Sequence, residues 1–315
     1  TCHRTKEEAE EETLKILDIY RSFISEDLAI PVLTGRKTER EKFAGAITTY
    51  CVEALMTDGR ALQAGTSHNL GQNFAKVFDI SFLDKDNQLK YVWQTSWGVS
   101  TRLIGGIIMV HGDERGLALP PRIAPIQVVV VPIMPPPSQE TVLNAAHNVF
   151  ERLDKISRVE LDAREEYSPG WKFNEWELRG VPIRLEIGPR DVKAGKVVLV
   201  RRDTGEKTAV PMENLENVVT DMLSSVQAGL YARAKRFLDE NTHTVDNYDE
   251  FKTVIEKQRG LIFAPWCGSQ ECEVSVKDET GATIRCIPMD AQPNPGKCIH
   301  CGDNATSWVY FAKAY

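Results

Sequence analysis

Apolar residues first recur at helical spacing, at Leu14, Leu17, Tyr20 and Ile24, which predicts an amphipathic helix near the start of the chain. Thr5 and Glu8 stand three apart just before it, the spacing of a capping box, in which a hydroxyl and a carboxylate each satisfy a free amide. Between 46 and 97 the period shortens to two. "ITTYCVEALM", "VFDISFLD" and "YVWQTSW" alternate apolar with polar residues, as strands of a largely antiparallel sheet do. The apolar run Leu103 to Val110 predicts a helix over 100–112, and the prolines of "LALPPRIAP" predict a stiff non-helical connector.

From residue 126 the alternation disappears. "IQVVVVPIM" is a continuous apolar run, the pattern of a strand buried on both faces in a parallel sheet. Helical patterns at 139–155 and 171–179 alternate with the strand patterns "VPIRLEIG" and "KVVLVRRD", so this region reads as a small α/β domain. An amphipathic helix over about 213–239 leads to a third region. The fold class expected is therefore α/β and α+β multidomain, divided at 1–122, 123–225 and 226–315.

Length agrees with that division, because 315 residues exceed the usual size of a single-core domain. No uninterrupted apolar stretch reaches the roughly 18 residues of a membrane span, and the N-terminus lacks the pattern of a signal peptide. No membrane association and a cytoplasmic location are the default expectations. A net charge of −7 argues against binding nucleic acid mainly by bulk attraction and leaves a local basic patch open.

Five of the seven cysteines fall after residue 266. In "CGSQECE" and "KCIHCG", Cys267 and Cys272 have four residues between them, Cys298 and Cys301 two, and the pairs lie twenty-five residues apart. Two short pairs joined by such a loop can close a tetrahedral thiolate site, for which zinc (Zn2+) is the usual structural metal. Four unrelated buried thiols is the alternative. Four thiolates leave no open coordination position, so such a site is structural. Cys286 is expected in a core and His300 in a solvated turn.

Two polar clusters carry candidate chemistry. "TSWGVSTR" leads into a helix, which offers free backbone amides, a hydroxyl at Ser100 or Thr101 and the guanidinium of Arg102, a set suited to phosphate oxygens or a flat base. An exposed arginine near a helix start is the plain alternative. "GRALQAGTSHNLGQNFAK" groups Gln63, Thr66, Ser67, His68, Asn69 and Gln72 among glycines, as a small-ligand pocket would; a surface turn with Ser67 or Asn69 as a helix cap is the other reading.

"GVSTRLIGGIIMVHGDERGLALPPRIAP" resembles motif 3 of the class II aminoacyl-tRNA synthetases in the form carried by prolyl-tRNA synthetases. "GRKTEREKFAGA", "LQAGTSHNLGQNFAKVFDI", "RLEIGPRD" and the four-cysteine tail resemble the archaeal and eukaryotic-like branch of that family. The resemblance implies a partial class II antiparallel-sheet catalytic core, an α/β anticodon-binding domain and a small zinc-binding α+β C-terminal domain. It implies activation of proline by ATP to prolyl-adenylate, with magnesium (Mg2+), and transfer to the 3′ end of tRNA(Pro). Arg102 would stack on adenine and reach the outer phosphates, with Gln63, Thr66 and Ser100 also holding ATP. His68, Ser96, Trp97 and Gly98 would line the proline pocket. Glu186, Arg190, Arg201 and Arg202 would reach anticodon bases and phosphates, and the carboxylate of Tyr315 would point back towards the active site. "TCHRTKEEAEEE" resembles the stretch just after motif 2, so the chain is expected to begin inside the catalytic domain, without motif 1, its homodimer contact, the loop for the proline amine or the motif 2 arginine. A threonyl, glycyl or histidyl relative, or a non-catalytic RNA-binding paralogue, are the competing readings.

Overall fold

The computed structural model describes residues 1–290 and 294–315. They form two compact units, one of residues 1–26, 30–106 and 235–315 and the other of 27–29 and 107–234.

The first unit is built on a nine-stranded sheet. In spatial order its strands are Cys2–His3, Trp93–Gly98, Ala61–Gly71, Thr48–Leu55, Val32–Arg36, Thr283–Pro288, Ser307–Ala312, Leu261–Trp266 and Thr242–Thr244. The segments read from sequence as a catalytic piece and a C-terminal region thus share one sheet. They meet where Ile287 pairs with Arg36 and Pro288 with Gly35. At this join a Cβ on residue 35 would lie 2.6 Å from the Cβ of Cys286, so only glycine lets the two strands approach. A buried ion cluster spans the same join: Lys37 Nζ donates to Glu53 at 2.8 Å and to the Arg285 carbonyl at 2.7 Å, and Arg285 Nε and Nη2 donate to Glu53 at 3.1 and 2.9 Å.

The first helix, Lys6–Ser22, has the expected capping box and buries Ala9, Thr13 and Leu17. It covers one face of the sheet, where the Ser67 hydroxyl donates to the Thr13 carbonyl at 2.8 Å and Asn69 Nδ2 donates to Glu10 at 2.6 Å. At the far end of the sheet, helices Tyr248–Lys257 and Gln270–Thr280 pack over a core of Phe251, Val254, Ile262, Val276, Val309 and Phe311.

Two expectations change here. Within "GRALQAGTSHNLGQNFAK" the surface-turn reading gives way to a strand: Ala61–Gly71 is one element, because each of its edges finds a partner strand, which pairs its backbone and buries Ser67 and Asn69. "VFDISFLD" is a strand only at Ser81–Leu83, after a short helix Asn73–Val77.

The second unit carries a five-stranded sheet in the order Lys207–Pro211, Lys196–Arg201, Ile183–Ile187, Val128–Pro132, Val159–Leu161. The last three are parallel and the first two antiparallel. Val128–Pro132 is buried throughout, as its unbroken valines require. Helices Gln139–Leu153 and Leu215–Glu240 supply Ala146, Val149, Leu153, Leu215 and Val219 to the core on one face; helix Pro169–Leu178 sets Trp176 against Val129, Val131 and Val181 on the other. Each buried valine or leucine among these contributes roughly 1.5–3 kcal/mol.

Candidate functional site

Register decides which side chains meet. Thr66 stands opposite Gly98, Ser67 opposite Trp97 and His68 opposite Ser96; on the other flank Glu53 faces Gln63, Cys51 faces Thr66 and Thr49 faces His68. Residues directly opposed in an antiparallel pair share a face, so Gln63, Thr66, His68, Ser96 and Gly98 lie together on the face away from the first helix. A Cβ on Gly98 would meet nothing within 4 Å, which leaves room there for a ligand. Trp97 pairs with Ser67 and so lies on the helix-covered face, one register step from the pocket wall expected of it.

At the rim of the open face, Arg102 opens the helix Arg102–His111. Ser100 Oγ accepts its backbone N–H at 3.3 Å, and its Nη1 donates to the Gln63 carbonyl at 3.3 Å. The guanidinium is exposed, and one edge is fixed while the rest faces outwards. That is the arrangement needed to fork onto phosphate or stack on a ring.

His68 is held by Thr49, whose hydroxyl lies 2.9 Å from Nδ1 and accepts from the Phe43 N–H at 3.1 Å. The direction of that bond follows the tautomer of the neutral ring: Nδ1 either accepts the Thr49 proton, which leaves Nε2 as the donor, or donates to the second lone pair of the hydroxyl. Burial pushes the His68 pKa down, which favours that neutral form. The Phe43 ring stands 5.4 Å from the His68 ring. Sequence reading missed Phe43, and its only signal was an aromatic residue in an otherwise charged loop.

The four cysteines are brought together: the sulfurs of Cys267, Cys272, Cys298 and Cys301 all lie within 4.8 Å of one another. A tetrahedral site with metal–sulfur bonds of about 2.3 Å needs sulfurs about 3.8 Å apart, so the set fits a metal ion after small side-chain adjustments. Ser269 caps the helix that carries Cys272, accepting from Glu271 N and Cys272 N at 3.1 and 3.4 Å, and the glycines after Cys267 and Cys301 take φ of +87° and +76°, as tight knuckles require. Cys286 is in the core as expected. His300 is not simply solvated: Nε2 lies 3.2 Å from Glu279 and its ring meets Tyr248 edge-on at 5.1 Å.

The four residues assigned to an anticodon contact do not behave alike. Arg190 is exposed, in the helix Pro189–Ala194 that follows strand Ile183–Ile187. Glu186 is buried and accepts from Arg184 at 2.9 Å and Lys207 at 3.3 Å. Arg201 is tied to Asp203 at 2.8 Å and to Ser225 at 2.9 Å. Arg202 is 6% exposed, forks onto Asp113 at 2.9 and 2.6 Å and donates to the Glu177 carbonyl at 3.0 Å. A buried guanidinium with those partners holds its own unit together. Asp113 is held down to about pH 2 chiefly by the Arg202 hydrogen bonds.

The mixed α/β unit and the antiparallel sheet with its four-cysteine corner have the parts of an aminoacyl-tRNA synthetase, and a family model described as an anticodon binding domain matches residues 127–222. A second, described as the C-terminal region of prolyl-tRNA synthetase, matches residues 248–315. Over the whole chain the sequence is 58% identical to a proline–tRNA ligase of Natranaerobius thermophilus, 55% to one of Alkaliphilus oremlandii and 51% to proline–tRNA ligase 2 of Bacillus cereus. The chain belongs to the prolyl-tRNA synthetase family. It spans 65%, 65% and 66% of the length of those three relatives.

Proposed function

We propose that this chain is the larger part of a proline–tRNA ligase, an ATP-dependent, AMP-forming enzyme that activates L-proline and transfers it to tRNA(Pro). One observation carries the reading: Gln63, Thr66, His68, Ser96 and Gly98 share an open sheet face with Arg102 at its rim, in a chain of that family.

On this reading the proline carboxylate attacks the α-phosphorus of ATP and pyrophosphate leaves. Arg102, with one guanidinium edge on the Gln63 carbonyl, presents the other to the phosphates and its plane to adenine. Gln63, Thr66 and Ser100 bound the nucleotide. His68, held at Nδ1 by Thr49, presents its ring to the amino acid beside Ser96 and Gly98. Charge grows on phosphoryl oxygens, so fixed cations matter more than any general base. Magnesium, when bound with ATP, adds positive charge at the phosphates. Cys267, Cys272, Cys298 and Cys301 would hold a structural zinc ion, which fixes the fold of the 226–315 region and takes no part in the chemistry.

The segments 1–122, 123–225 and 226–315 then correspond to catalytic, anticodon-binding and C-terminal regions. Arg190 is the strongest of the four anticodon candidates, because it is the exposed one while Glu186, Arg201 and Arg202 are committed to partners within their own unit. A homodimer in the cytoplasm is the expected setting. Among the described residues no helix is long and apolar enough to cross a membrane. The test is charging of tRNA(Pro) by the full-length protein with proline, threonine, glycine and histidine offered separately: proline alone should be transferred, and transfer of another amino acid in its place refutes the assignment.

A further inference from the structure

A cleft of about 440 Å³ opens in the second unit at the carboxyl end of strand Val128–Pro132. Its walls include Pro132, Met134, Gln139, Glu166, Tyr167 and Lys172. In sheets with parallel strands, ligands gather at the strands' carboxyl ends. Against this cleft the Tyr167 ring stacks on Trp171 with centroids 3.9 Å apart and planes 11° from parallel. Arg164 lies over both rings, at 5.0 and 5.5 Å. Tyr167 and Trp171 nevertheless remain 38% and 43% exposed, so aromatic surface at the cleft is left available to a ligand.

The scaffold beneath is rigid. Asp162, 3% exposed, accepts from Arg164 Nε and Nη2 at 2.8 Å each and from Trp176 Nε1 at 2.8 Å. Lys172, 2% exposed, donates to the Asp162 carbonyl at 3.1 Å and lies 3.6 Å from its carboxylate. Arg164 also donates to Glu175 at 2.5 Å.

This pattern of charge discriminates between ligands. Both cations that line the cleft are already matched by Asp162 and Glu175, and Glu165 and Glu166 add negative charge at the mouth. A phosphate group would find no unmatched cation and would meet carboxylates. A flat, uncharged ring with hydrogen-bond donors on its edge meets an aromatic face and acceptors.

We propose that Tyr167, backed by Trp171 and Arg164, is a stacking platform for one unpaired RNA base, a contact distinct from Glu186, Arg190, Arg201 and Arg202. The proposal rests on the anticodon-binding reading of this unit and deepens it. Stacking on protein aromatics is the usual way a splayed-out base is held.

The test uses the full chain and a stem-loop RNA whose seven-nucleotide loop carries an NGG anticodon. Binding is measured by fluorescence anisotropy for wild type, Tyr167→Ala and Tyr167→Phe, with each loop nucleotide in turn made abasic. Tyr167→Ala should weaken binding about tenfold, while Tyr167→Phe, which keeps the ring, should stay within about twofold. One abasic position should weaken binding to wild type and to Tyr167→Phe and have no further effect on Tyr167→Ala. The abasic series leaves the protein unaltered, so it also answers for a variant that folds poorly. Equal binding by wild type and Tyr167→Ala, or abasic effects that are the same in both, overturns the platform alone. Failure of wild type to bind the stem-loop overturns the anticodon reading and the platform together.

Discussion

Replacing Arg285 by methionine should destabilise the first unit by about 3 kcal/mol. Glu53 is 1% exposed and Arg285 is 7% exposed, and the guanidinium donates to the carboxylate at 3.1 and 2.9 Å. Removing one partner of a buried pair typically costs about 3–5 kcal/mol, because the other charge is left uncompensated. Lys37 remains 2.8 Å from Glu53, so the loss should fall at the lower end of that range. Glu53→Gln should cost more, since it leaves two buried cations with no carboxylate between them. The double variant should cost less than the sum of the single ones by about 1–3 kcal/mol, because the residues form one network. Urea unfolding, with midpoints converted through the measured slope, reads all three. A loss below about 1 kcal/mol for Arg285→Met, or simple additivity, would refute the view that this cluster fastens the two halves of the nine-stranded sheet.

Other consequences are independent of that cluster. His111 is fully buried, its Nε2 donates to the Leu28 carbonyl at 2.8 Å, and desolvation lowers its pKa to about 4 from the ordinary histidine value of 6.5. The unfolded chain therefore takes up a proton between those values while the folded unit does not. Stability of the second unit should drop by about 3 kcal/mol as pH falls from about 6.5 to about 4, and His111→Gln should flatten that slope in pH-dependent denaturation. Elemental analysis should find one zinc per chain, and Cys272→Ser should release it with loss of protection from hydrogen exchange in 248–315; metal-free protein with full protection there would count against the site. Gly35→Ala places a Cβ 2.5 Å from the Ile287 carbonyl oxygen and should cost about 1–3 kcal/mol in thermal unfolding.

The elements with a strong period were legible in the sequence. The Thr5 capping box, the all-apolar strand at Val128, the helix over 139–153 and the four-cysteine cluster each declare themselves through local spacing. Ala61–Gly71 did not, because glycines and polar side chains disguise a strand that is buried by its neighbours on both edges. The face of Trp97 was equally hidden: adjacent residues of a strand point oppositely, and "SWG" alone does not say which of them faces the ligand. Long-range ion pairs are invisible for a different reason, since nothing local distinguishes Arg285, which meets Glu53 across 232 positions, from a solvated arginine. The same holds for Arg202, whose "RRD" neighbourhood reads as an exposed loop until Asp113 appears beside it.

The most direct test of the account is proline-dependent exchange of pyrophosphate into ATP by the full-length protein, wild type beside Arg102→Ala. The account predicts exchange with proline that falls by about a hundredfold or more in the variant, since the guanidinium faces charge that develops on the phosphates. Unchanged exchange in Arg102→Ala, or none with proline in the wild type, would contradict it.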